Sequence, residues 1–213
     1  MAISPEQETV EGVSAVPKRI RLFVAVNLSA ALKRKLAQVQ QEIASRVGKG
    51  AVRWTRAEQL HITLKFLGYV PETNVRQVQA NLLSASRGSA RLRLGAQGLG
   101  CFPGAKSPRV IWVGINGEVA PLLRLQKQIE AATVDWAEPE KREFTPHLTL
   151  GRVKDACRRG DLDAIAKFVE ANKEVQFGQW AVEQVDLMQS VLSPTGATYT
   201  CLSSVPLGAT SES

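Results

Sequence analysis

Apolar residues along this chain alternate between two rhythms, one of period two and one near 3.6. Arg19-Ile20-Arg21-Leu22-Phe23-Val24-Ala25-Val26 begins by alternating and closes as an unbroken apolar run, the pattern of a central strand. Leu32, Leu36, Val39, Ile43 and Val47 then follow the helical period behind Ser29, a residue suited to capping a helix, and Gly48 and Gly50 stop the run. Val52-Arg53-Trp54 precedes a strand from His61 to Leu67 that ends at Gly68. Pro71 opens a second helix with Val75, Val78 and Leu82 on one side, ended near Gly88. Arg91 to Leu94 alternates as a half-exposed strand, Gly98 to Pro108 reads as a Gly- and Pro-rich loop, and Val110 to Ile115 as another strand.

The second half follows a similar course. Pro121, Leu122, Leu125 and Ile129 mark a helix, Ala137 to Glu140 a turn, and His147 to Val153 a strand. Asp161 is placed to cap a helix carrying Leu162, Ile165 and Phe168, and strands follow near 175–177, 181–192 and 197–205. Helix, loop, His-x-Thr strand, helix, strand thus occurs twice. The expected fold is α+β: two pseudo-symmetric lobes of mostly antiparallel sheet with flanking helices, made by internal duplication, and a central cleft carrying both His-x-Thr strands. One bilobal domain is expected over residues 18–207, its lobes separated near Gly104 to Pro108. Residues 1–17 read as a flexible leader and 208–213 as a loose tail.

The repeated strands carry the chemistry. His61-Ile62-Thr63-Leu64 and His147-Leu148-Thr149-Leu150 hold the only two histidines in the chain. On a strand, residues two apart share a face, so each histidine projects with its threonine while the aliphatic residues project into a core. Two imidazoles, one neutral and one protonated, supply a general base and a general acid without a metal. Displacement at phosphorus needs both, on opposite sides of the phosphoryl group. Thr63 and Thr149 are placed to donate hydrogen bonds to its non-bridging oxygens. Arg152 follows the second motif and is read as a phosphate contact. Lys65, at even spacing from His61, is expected on the same face, as a second cation or a polar-face filler. Trp54 is either core or a base-stacking group beside the site. Phe144 is read as packing a turn, and Trp112, Trp136 and Trp180 as core or surface packing.

Charge narrows the partners. The net charge is +7, which favours anionic partners such as nucleic acid or phosphorylated substrates. Cys101, Cys157 and Cys201 are odd in number and patternless in spacing, unlike a disulfide framework or a zinc motif and suited to a reducing cytosol. No histidine is left over to activate Cys101, and two histidines with dispersed cysteines supply no three- or four-ligand metal set. The apolar runs are of strand length, too short for a membrane span, and the first residues lack a signal or transit pattern.

His61-Ile62-Thr63-Leu64-Lys65-Phe66-Leu67-Gly68 and Thr145-Pro146-His147-Leu148-Thr149-Leu150-Gly151-Arg152, set 86 residues apart, resemble the paired motifs of the two-histidine phosphoesterases. More narrowly they are similar to the bacterial and archaeal RNA 2′,3′-cyclic phosphodiesterases, also called 2′-5′ RNA ligases, as are Arg21 to Val26 and Arg53-Trp54. The resemblance runs from about Lys18 to Leu207. It implies His61 as proton donor to the departing ribose oxygen, His147 as proton acceptor from water, Thr63 and Thr149 on the phosphate, a 2′-phosphomonoester product, and no metal or nucleotide cofactor. The implied partner is RNA ending in a 2′,3′-cyclic phosphate, among them tRNA fragments, or a small cyclic nucleotide. A cytoplasmic monomer is expected. Two alternatives stand beside hydrolysis: joining RNA ends through a 2′-5′ linkage, and a non-catalytic module that binds RNA ends. No Gly-rich phosphate loop supports an ATP-driven ligase.

Overall fold

The computed structural model describes residues 17–194 and 196–208; the expected leader up to residue 16 and the tail beyond residue 208 lie outside them. Among the described residues the chain runs β1 (Arg19–Asn27), α1 (Ala30–Ala44), β2 (Val52–Trp54), β3 (His61–Pro71), α2 (Val75–Ser86), β4 (Leu92–Phe102), β5 (Val110–Gly117), α3 (Val119–Ala132), β6 (His147–Val153), α4 (Arg159–Ala171), β7 (Gln176–Val182), β8 (Gln184–Ser193) and β9 (Gly196–Pro206). Ser29 caps α1 as its sequence predicts, its hydroxyl accepting from Leu32 N at 3.3 Å. Asp161 instead sits in the first turn of α4 and accepts from Gly48 N at 2.8 Å, tying that helix to the end of the α1 connection.

Two antiparallel sheets form, a four-stranded one in the order β3-β1-β8-β9 and a five-stranded one in the order β2-β6-β5-β4-β7. This is the expected α+β class, but the sheets are not consecutive halves of the chain. The chain changes sheet between β1 and β2, between β2 and β3, between β3 and β4, and again between β7 and β8, where Glu183 alone separates the strands. Residues 104–108, expected to divide the lobes, form the turn of the β4–β5 hairpin inside the five-stranded sheet. The expected loop from Gly98 also proves to be strand as far as Phe102. Its glycines serve close approach, because a Cβ on Gly100 would lie 2.1 Å from the Trp112 ring and one on Gly95 2.0 Å from Asn116.

The helices are exchanged between the sheets. α1 packs on β6 and β7 of the five-stranded sheet, while α3 packs on β3 of the four-stranded sheet beside α2. Leu36, Val39, Gln40 and Ile43 of α1 lie 86 residues before Leu122, Leu125, Gln126 and Ile129 of α3, and all eight are buried. Burying each aliphatic side chain contributes about 2 kcal/mol. The two glutamines do something more specific. Gln40 Nε2 donates to Leu150 O at 2.8 Å and Thr55 O at 2.7 Å, and Gln126 Nε2 reaches Leu64 O at 3.5 Å. Each thus reaches the carbonyl of the leucine that ends the other half's His-x-Thr motif.

Buried carbonyls stripped of a donor cost about 1–3 kcal/mol. Gln40→Met, which keeps the bulk and deletes the donor, is therefore expected to lower the unfolding free energy by that amount, seen as a lower urea midpoint at constant m-value. A midpoint equal to that of the parent protein would remove the pinning role of Gln40.

Candidate active site

β3 and β6 come close because β2, which pairs with the end of β6, leads straight into β3. Trp54 pairs with Gly151, Thr55 N donates to Leu150 O at 2.8 Å, and a single 3₁₀ turn over Ala57–Gln59 then delivers the chain to His61. Each histidine is held the same way. His61 Nδ1–H donates to Gln59 O at 2.6 Å, and His147 Nδ1–H donates to Thr145 O at 2.8 Å. A carbonyl only accepts, so both neutral rings carry their proton on Nδ1 and leave Nε2 as the working nitrogen. Thr63 Oγ1 lies 2.9 Å from His61 Nε2. Aromatic rings lie beside both imidazoles: Phe23 and Tyr199 have centroids 5.0 and 5.4 Å from His61, and Phe102 and Trp112 lie 5.1 and 6.4 Å from His147.

Both strands bulge at the fourth residue of the motif. Leu64 falls between Thr63, opposite Ala25, and Lys65, opposite Val24; Leu150 falls between Thr149, opposite Trp112, and Gly151, opposite Ile111. A bulge inverts the alternation beyond it. Lys65 is therefore turned away from His61, against the even-spacing expectation. It is 6% exposed, ion-paired to Glu130 at 3.0 Å and donating to Glu138 O at 2.7 Å, so it clasps α3 and the following loop. The same inversion brings exposed Arg152, five residues after His147, onto the face of His147 and Thr149, beside its cross-strand neighbour Arg53. In the first half the corresponding position is Phe66, 54% exposed, with the Arg21 guanidinium 5.6 Å above its ring.

Trp54 is not brought to this face. Its ring lies where a Gly151 side chain would be, packed against the core. Trp136 and Phe144 also pack on the core, and buried Trp180 donates Nε1–H to Asn27 O at 3.1 Å. Trp112 departs from the packing expectation by standing on the open face beside His147. Sequence reasoning also passed over Lys33. Its ammonium is half-buried, donating to Glu58 O at 2.8 Å and to Asn27 Oδ1 at 3.5 Å, and Asn27 is the cross-strand partner of His61. Asn27 in turn donates to Asp186, a buried carboxylate, at 2.7 Å. The available signal was the first-turn position of Lys33 directly after β1. Among the described residues, no three His, Cys, Asp or Glu side chains gather as a metal ligand set.

The chain matches the LigT like phosphoesterase family twice, over residues 26–112 and 113–199, one His-x-Thr motif in each. The chain belongs to the LigT-like phosphoesterases. An RNA 2′,3′-cyclic phosphodiesterase of Methanothermobacter thermautotrophicus is 31% identical over 182 residues, 85% of this chain and 96% of that one. One from Aeropyrum pernix is 37% identical over 68% of this chain and 80% of its own length. A solved structure from Thermus thermophilus superposes with a TM-score of 0.72 at 30% identity, covering 88% of this chain and 98% of that one. Escherichia coli LigT, solved with NADP+, shares the fold with a TM-score of 0.69 at 23% identity, over 90% of this chain and all of that one.

Electrostatics act on His61 in this LigT-like site. Burial pushes the His61 pKa below its ordinary value; the Gln59 carbonyl opposes that, and the charges of Lys33 and His147 add to it. His147 is thus near enough for its charge to be felt at His61. A neutral His61 stabilises the fold above about pH 6.5, its unfolded value, and that contribution is lost as pH falls through the lower folded value. An anion placed between the rings reverses the balance at His61 by attracting its proton.

With two histidines in the chain, NMR titration resolves both. The ring signal missing in His61→Ala is expected to titrate below about 6.5, the ordinary histidine value, in the free protein and to move up when inorganic phosphate is added. Titration at or above that ordinary value without phosphate would contradict the burial argument. Lys65→Met is expected to cost roughly 3 kcal/mol of stability, from a Glu130 left without its cation, while turnover stays near the parent value. A turnover loss at unchanged stability would return Lys65 to the phosphate.

Proposed function

We propose that this LigT-like phosphoesterase opens the 2′,3′-cyclic phosphate at the end of an RNA to a 2′-phosphomonoester, using two histidines and no metal. The observation that carries the reading is the matched pair of imidazoles, each with Nδ1 pinned to a carbonyl two residues upstream and a threonine on its own face. His147 Nε2 takes a proton from water as the water oxygen bonds to phosphorus, the P–O3′ bond breaks, and His61 Nε2–H passes its proton to O3′. Thr63 and Thr149 hold the non-bridging oxygens, and Arg152, with Arg53 beside it, neutralises charge gathering on the phosphoryl group.

The difference between the halves supports this assignment of acid and base. Beyond its bulge the second half presents a guanidinium, Arg152, and the first half an aromatic ring, Phe66, near Tyr199 and Phe23. Phosphate charge suits the first surface and a nucleoside the second. The terminal ribose, with its departing O3′, therefore lies on the His61 side, and water enters from the His147 side. The relatives' printed names support RNA as substrate, as does the net charge of +7. Free Cys101, Cys157 and Cys201 fit a cytoplasmic setting. None of the described helices is long and apolar enough to cross a membrane.

The test uses a 2′,3′-cyclic-phosphate oligoribonucleotide in excess chelator. The parent protein is expected to release the 2′-phosphomonoester with a bell-shaped pH dependence, and His61→Ala and His147→Ala to lose about 10³-fold or more. Turnover by either variant at the parent rate, or a 3′-phosphate product, would overturn the proposal.

A further inference from the structure

The hydrolytic reading leaves the open face of the five-stranded sheet without a task. Starting from His147, the cross-strand neighbours on that face are Gly114 on β5 and then Gln97 on β4. Two strand spacings carry this path about 10 Å from the histidine, more than one nucleotide step. The surface along it is built flat. Trp112 lies across Gly100, where a Cβ would come within 2.1 Å of the indole, and Phe102 tilts against it at 5.1 Å. The Trp112 indole Nε1–H is shielded from solvent and has no acceptor. A cavity of about 360 Å³ opens beside the ring, lined by Gly114, Asn116, Gln97, Lys173 and Glu174 among others. A second of about 370 Å³, lined by Arg93, Gly95, Glu118 and Gln179, continues the path beyond Asn116.

We infer that this face is a subsite for the nucleotides preceding the reacting end of a single-stranded RNA, with an unpaired base stacked on Trp112. The inference rests on the hydrolytic reading, because it takes its direction from the reacting phosphate. Flat aromatic surface next to amide side chains suits a nucleobase. Each cavity is lined by one basic and one acidic residue, Lys173 and Glu174 in one and Arg93 and Glu118 in the other, and Lys173 is already ion-paired to Glu170. The track therefore holds bases and sugars while the phosphates face water, so its contribution is only weakly sensitive to salt. A continuous duplex does not present its bases to such a surface.

The deciding experiment measures kcat/KM for a mononucleoside 2′,3′-cyclic phosphate and for di-, tri- and tetranucleotides with the same reacting end. It compares the parent protein, Trp112→Leu and Trp112→Phe. The parent is expected to prefer the longer strands by about ten-fold, the scale of one stacked base. Trp112→Leu is expected to bring that ratio close to one, and Trp112→Phe to keep most of it. In parallel, 2-aminopurine at the penultimate position is expected to be quenched by His147→Ala and not by His147→Ala/Trp112→Leu. A length preference that is absent, or unaffected by Trp112→Leu, overturns the inference, as does a loss of equal size at every length. A Trp112-dependent effect seen only with an added 5′-hydroxyl strand assigns the face to a separate strand and overturns it as well. If no cyclic phosphate is opened at all, the hydrolytic reading fails, and the quenching arm still decides this one.

Discussion

A bulged leucine, held by a glutamine buried in a helix from the other half of the chain, fixes what this cleft contains. Leu64 and Leu150 each occupy the fourth position of a His-x-Thr motif, and their carbonyls meet Gln126 and Gln40. Upstream of the bulge the ordinary alternation sends His and Thr together to the open face. Downstream it is reversed, so the cleft receives Phe66 and Arg152 while Lys65 is sent to the core. Without the bulge the first half would present Lys65 and the second would bury Arg152. Because each cap is supplied by the other half, the two motifs support one another.

Much of this architecture was legible in the residues, and the failures share a cause. Period-two and helical patterns located β1, α1, β3 and β6, because each has one clear apolar face. The pairing of His61 with Thr63 and of His147 with Thr149 followed from the same rule. Lys65 defeated it because parity holds only while the ladder is regular, and nothing local in Leu64-Lys65 announces an extra residue. The glycines at 98 and 100 suggested a loop because their other uses, a close approach to the Lys173 carbonyl and clearance for Trp112, depend on residues far along the chain. The break at Glu183 was invisible because β7 and β8 are both apolar and differ only in which sheet they join. Trp54 and Trp112 could not be ranked from sequence, since each precedes or sits within a strand. What separates them is that Trp54 covers Gly151 on the core side and Trp112 covers Gly100 on the open side.

Chemically, the duplication has been kept where the reaction is symmetric and lost where it is not. An in-line displacement needs a proton relay on each side of phosphorus, and the His-x-Thr strands are copies down to the carbonyl that holds Nδ1. In the proposed mechanism the leaving ribose oxygen is on one side and the attacking water on the other, and the residues beyond the bulges differ accordingly. Burial and neighbouring positive charge disfavour a proton on His61 in the free protein. In the proposed mechanism the phosphodiester anion supplies the charge that favours it.

The proposed chemistry requires one phosphoryl site shared by residues 61 and 147. A crystal structure of the protein with a uridine–vanadate complex, a mimic of pentacoordinate phosphorus, tests it most directly. Both Nε2 atoms are predicted to lie about 3 Å from oxygens of the vanadate, on opposite apical sides. Vanadate held by one imidazole, with the other turned away or out of reach, would contradict the shared site.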